Sequence, residues 1–88
     1  SDLYELTAPS PNPSKGEASV KLTVERAQNV RVEVFDLLGR RVSVVFDGRI
    51  GAQQEERFTV GNDLNAGTYF VQVTGEGFEK SQKFVVVR

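Results

Sequence analysis

"LNAGTYFVQVT", Leu64 to Thr74, is the stretch on which the fold turns. From Thr68 onward Tyr69, Val71 and Val73 alternate with Thr68, Phe70 and Gln72, the period-two pattern of a half-buried strand. A tyrosine that opens a strand just after a corner has a known use in β-sandwiches, where its hydroxyl bonds back to the backbone of the preceding loop. Tyr69 could instead stack on a ligand, but its position favours the corner. Asn62 to Gly67, just before it, reads as one helical turn closed by Gly67.

The same alternation extends in both directions. Upstream, Val20, Leu22 and Val24 share one face of Ala18–Glu25, and Val30, Val32 and Val34 share one face of Val30–Phe35. Val42, Val44 and Phe46 are expected inward on Arg41–Phe46. Turns are expected at Ala27-Gln28-Asn29, at Asp36–Arg40 with Gly39 at positive φ, and at Asp47-Gly48, a hairpin-type pair. Gln54–Val60 starts polar and ends on Phe58 and Val60, as an edge strand does. Downstream, Glu79–Val87 is the last strand. With a short strand at Leu3–Thr7, seven strands and no long helix predict an all-β, seven-stranded immunoglobulin-like antiparallel β-sandwich. The expected core includes Val20, Leu22, Val32, Val34, Val44, Phe58, Val71 and Val73.

All three prolines lie in "PSPNPSKG", Pro9 to Gly16. Each fixes its own φ, lacks an N–H and biases the preceding residue toward extended backbone. The segment therefore reads as a stiff arm, unsuited to the interior of a sheet and a deterrent to strand addition there. Residues 1–16 form the first strand and this arm, and 17–88 the remaining strands of a single domain. Ser1-Asp2 reads as a module boundary within a longer precursor that would carry any amino-terminal signal.

Composition narrows the function classes. The 88 residues are 39% hydrophobic and 26% charged, as in ordinary folded domains, and suit one domain. Eleven basic against twelve acidic residues leave a net charge of −1, which gives no electrostatic reason to expect nucleic acid as a partner. No apolar run approaches bilayer-spanning length, so membrane insertion is not expected. The absence of cysteine and histidine rules out disulfides, Cys/His zinc sites and a Ser-His-Asp triad. The acidic residues Asp36, Asp47, Asp63, Glu55 and Glu56 fall at turns and on an edge strand, where solvation and turn formation explain them. No catalytic residue and no cofactor is therefore assigned. The Asn62–Asn65 loop, with Asn62, Asp63 and Asn65, offers oxygens to a calcium ion but matches no EF-hand spacing. Carbohydrate binding is weakened by the lack of tryptophan.

What remains is surface. Phe35, Phe70, Val85 and Val87 fall on the outward phase of strands that an immunoglobulin topology places in one sheet. Either they form an exposed apolar interaction patch, or the arm or first strand folds over them, or the last strand runs in the opposite phase. On the last strand, Phe84 and Val86 are expected inward, and Lys83, Val85 and Val87 outward. A partner could read those side chains, or the strand's edge by backbone pairing.

Four motifs occur in order: "PNPSKG" at Pro11–Gly16, "VFDLLGRRV" at Val34–Val42, "LNAGTYFVQV" at Leu64–Val73 and "KSQKFVVVR" at Lys80–Arg88. Together they resemble the type A C-terminal sorting domain of the Bacteroidetes type IX secretion system. The resemblance implies a non-catalytic sandwich that steers a covalently linked upstream cargo through the outer-membrane translocon. Transit through the periplasm and release or surface attachment by a sortase-like protease would follow. It also implies recognition residues: Pro11, Asn12 and Pro13 at the domain's start, Gly67 and Tyr69 in an "L-x-x-G-x-Y" motif, and the terminal Lys83, Val85, Val86, Val87 and Arg88. A monomer or weak dimer is expected. The competing expectation is an extracellular adhesion or carbohydrate-binding accessory module of a larger secreted enzyme.

Overall fold

The alternating stretches become strands in the computed structural model, which describes residues 3–88. The Ser1-Asp2 boundary lies outside the described residues. The strands are β1 (Tyr4–Leu6), β2 (Ala18–Val24), β3 (Gln28–Asp36), β4 (Arg41–Ile50), β5 (Glu56–Val60), β6 (Gly67–Thr74) and β7 (Glu79–Val86). They form two antiparallel sheets, ordered β1-β2-β5 and β4-β3-β6-β7. This is the expected seven-stranded sandwich. β4 pairs with β3, whereas the fourth strand of an immunoglobulin constant domain joins the opposite sheet.

The inward phases meet in one core. Val20, Leu22, Val24, Phe58 and Val60 from the first sheet face Val30, Val32, Val34, Val71, Val73, Phe84 and Val86 from the second, all buried. Each such side chain contributes roughly 1.5–3 kcal/mol by leaving water. Phe46 of β4 and Phe58 of β5 join the sheets, 5.1 Å apart between ring centroids, and Tyr4 of β1 stacks at 4.1 Å on Phe78 of the β6–β7 connection.

The β3–β4 hairpin is closed by Asp36. Its Oδ1 accepts the backbone N–H groups of Leu38 and Arg40, both at 2.9 Å, and its Oδ2 accepts Arg40 Nε–H at 2.8 Å. Gly39 sits there at φ 81°, as expected.

Four local expectations are corrected. Val44 is not inward: it is 47% exposed, and Val42 is 41% exposed. The register runs Val32 to Phe46, then Glu33 to Val44, Val34 to Ser43 and Phe35 to Arg41, so Val45 and Val42 are extra residues in β4. An extra residue reverses the phase of a strand. Val44 therefore lies opposite outward Glu33, while Val45 packs against the core. Second, Asp47-Gly48 is no turn but part of β4. The Phe46 ring lies over Gly48, where a Cβ would come within 3.3 Å of it. Third, Gln28 and Asn29 belong to β3, and the turn precedes them. Fourth, Asn62–Gly67 makes no helical turn: a Leu64 N–H to Gly61 O bond of 3.3 Å closes an irregular loop, and Gly67 opens β6.

Candidate recognition surface

β7 presents its motif as the alternation requires. Phe84 and Val86 are fully buried, Val85 is half-buried, and Lys83 and Val87 are exposed. The buried pair fixes the strand in the sheet, so the outward side chains stand on a rigid support.

The proline arm has a more definite structure than the sequence reading allowed. At Ser10 it still pairs with the first sheet, donating to Ser19 O at 3.0 Å and accepting from Ser19 N–H at 2.9 Å. Four residues later it pairs with the second sheet, in a parallel bridge between Ser14 and Val86. Ser14 N–H donates to Val85 O at 2.9 Å, and Val87 N–H donates to Ser14 O at 2.7 Å. Between them, the Asn12 side chain acts as a backbone substitute. Its Nδ2 donates to Lys83 O at 3.2 Å and its Oδ1 accepts Val85 N–H at 2.9 Å. These are the two bonds that the backbone of residue 12 would make if the parallel pairing at Ser14 continued, so the Asn12 amide stands in for its own main chain. Pro11, Asn12 and Pro13 are exposed, whereas Ser14 is buried with its Oγ unpartnered.

Arg88 closes the far end of the same edge. Its guanidinium donates to the carbonyl of Leu64, through Nε at 3.1 Å and also through Nη2, and to those of Gly61 (3.4 Å) and Asn62 (3.3 Å). Two carbonyls of the candidate calcium loop, those of Asn62 and Leu64, thus face the Arg88 guanidinium. Among the described residues, no group of three or more His, Cys, Asp or Glu side chains is placed to hold a metal ion. Gly61 sits at φ 96° with the Gly16 carbonyl where its Cβ would be, so loop and arm touch backbone to backbone.

Tyr69 takes the corner position. Its hydroxyl donates to Asn65 O at 2.8 Å, and its ring lies 5.8 Å from that of Phe84. Gly67, at the start of β6, pairs with Val86. Three of the four proposed patch residues, Phe35, Phe70 and Val85, share the outer side of the second sheet, and Val87 follows the end of β7. Phe35 is the direct cross-strand neighbour of Phe70, which faces Lys83 on its other side, and Val85 lies opposite Thr68. Phe35, Phe70 and Val85 are half-buried and Val87 is 40% exposed. The sequence reading missed Leu37, Leu38, Val42 and Val44, all exposed on or beside β4. It also missed the backbone-like role of Asn12 and the Arg88 clamp. The isolated Asn between two prolines was the available signal for the former.

The model of the secretion system C-terminal sorting domain family matches residues 10–87, from the arm to the end of β7. The chain belongs to that family. The sorting-domain family is generally non-catalytic and implies interaction with the type IX machinery, an attached upstream cargo, and export to the surface or the medium. Among solved structures, the sorting domain resembles part of the β-glucosidase EmGH1 of Erythrobacter marinus, with a TM-score of 0.54 and 14% identity. The match covers 96% of this chain but 15% of that enzyme, and at this identity it is a likeness of fold alone. No curated protein sequence matches the chain.

Proposed function

We propose that this sorting domain carries an upstream cargo through the periplasm to the outer-membrane translocon, which reads the outward face of β7, and that a sortase-like surface protease then releases or attaches the cargo. Lys83, Val85 and Val87 are the residues read, Arg88 and Val86 hold them in place, and Phe35 and Phe70 extend the contact surface across β6 and β3. Pro11, Asn12 and Pro13 lie beside the same edge. Gly67 and Tyr69 act by shaping the corner that supports β6. The observation that carries this reading is the family match from arm to β7, because it spans the two segments that meet at that edge.

The test uses a reporter fused upstream of the domain in a type IX-competent host. Lys83→Ala and Val85→Ser leave the fold intact and strand the reporter in the periplasm. If these folded variants export the reporter as well as the wild type does, the outward face of β7 is not the signal.

A further inference from the structure

We infer that the outer edge of β7, from Lys83 to Val87, is a strand-addition site that the domain covers with its own arm. Resting on the sorting reading for the occupant's identity, the inference is that an extended segment of the secretion machinery takes the place of Asn12–Ser14 and runs parallel to β7.

Four groups point outward on this edge: Lys83 O, Val85 N–H, Val85 O and Val87 N–H. A partner strand satisfies such groups with its own backbone, and its alternate side chains add specificity. The arm satisfies them less well. Two of the four are met by the Asn12 side chain where a regular parallel strand would use its own backbone N–H and C=O. The other two depend on Ser14, which buries a hydroxyl without a partner, and an unpaired buried hydroxyl destabilises its own seat. Pro11, Asn12 and Pro13 bury little surface to compensate.

These defects define the better occupant. It runs as a regular strand, with backbone N–H and C=O where the arm uses the Asn12 side chain and without prolines to disturb that geometry. It has a small apolar residue such as alanine at the Ser14 seat, which is only 1% exposed. Displacement can stop at Ser10, whose two bonds to Ser19 keep the preceding chain on the first sheet. Lys83, Val85 and Val87 then flank the incoming strand.

The chain contains no cysteine, so Ser14→Cys combined with Val86→Cys places one disulfide between bridge partners and locks the cover. The probe is a synthetic peptide copying Pro9–Gly16 with Pro11→Thr, Pro13→Thr and Ser14→Ala. Titrated into the domain and followed by amide NMR, it shifts Val85 and Val87. It binds Asn12→Ala roughly fivefold more tightly, because that substitution weakens the cover. It does not bind the oxidised pair and binds again after reduction. No movement of Val85 and Val87 at millimolar peptide in either the wild type or Asn12→Ala overturns the inference, as does equal binding to the locked form. In the host, the locked pair, shown oxidised by thiol labelling, retains the reporter, whereas the wild type and each single-cysteine variant export it. Export of the locked pair at the wild-type level overturns the inference. Failure of the wild-type fusion to be exported overturns the sorting reading instead, and the titration still decides the edge.

Discussion

Ser14 is buried, and its hydroxyl has no partner. Ser14→Ala removes that defect while keeping the backbone bonds to Val85 and Val87, so stability rises by about 1 kcal/mol. Thermal unfolding measures this, and a lower midpoint would mean that the hydroxyl is bonded. Tyr69→Phe acts in the opposite direction. It deletes the bond to Asn65 O and costs about 0.5–1.5 kcal/mol, with the ring contact to Phe84 retained. Asp36 makes stability depend on pH. The backbone N–H of Arg40 above all, with the Arg40 side chain and Leu38 N–H, holds its carboxyl below the ordinary 3.8. A carboxylate with a lowered folded-state pKa contributes fully above its unfolded value, and the contribution is lost as pH falls through the folded value. The stability gap between wild type and Asp36→Asn therefore narrows below about pH 4, which denaturant titrations across that range would record. Tyr69 was legible in the sequence because its role follows from position. Ser14 and Asn12 were not, because their roles depend on a strand some seventy residues away.

Strands were legible where their phase is unbroken. β2, β6 and β7 each keep one period from end to end, so their buried residues could be read directly, and in β3 the same holds for Val30, Val32 and Val34 but not for buried Gln28 and Glu33. β4 could not be read this way, because its two extra residues shift the phase and pairing with β3 decides where they fall. Val44→Thr should therefore change stability by no more than about 0.5 kcal/mol, as exposed substitutions do. Val32→Ala, at a fully buried site on the neighbouring strand, should cost about 2 kcal/mol through lost burial and a cavity. Equal effects at the two sites would refute the bulged register. In β7, Lys83→Ala belongs to the tolerated class and Val85→Ser, at a half-buried site, should cost about 1 kcal/mol, which leaves the domain folded. Deleting Lys83–Arg88, by contrast, removes Phe84 and Val86 from the core and the Arg88 clamp with them. Loss of export after that deletion cannot be separated from loss of fold.

At the scale of the molecule, seven strands in two sheets were legible from turn spacing and alternation. The placement of β4 was not, since it depends on the tight Asp36–Arg40 connection returning the chain beside β3. Leu22→Ala opens a cavity at the centre of the first sheet and should cost about 2–4 kcal/mol in denaturant unfolding. The arm adds something that neither sheet has alone, because Ser10 bonds to one and Ser14 to the other. Its parallel alignment with β7 also has a mechanical consequence. Tension applied between an upstream cargo and the carboxyl end pulls the arm toward its amino end and β7 toward its carboxyl end, so the two slide past one another. The four bonds at Asn12 and Ser14 are then loaded side by side and must fail together, whereas a competitor approaching sideways can take them one at a time. The same contact that yields to an incoming strand resists a pulling force.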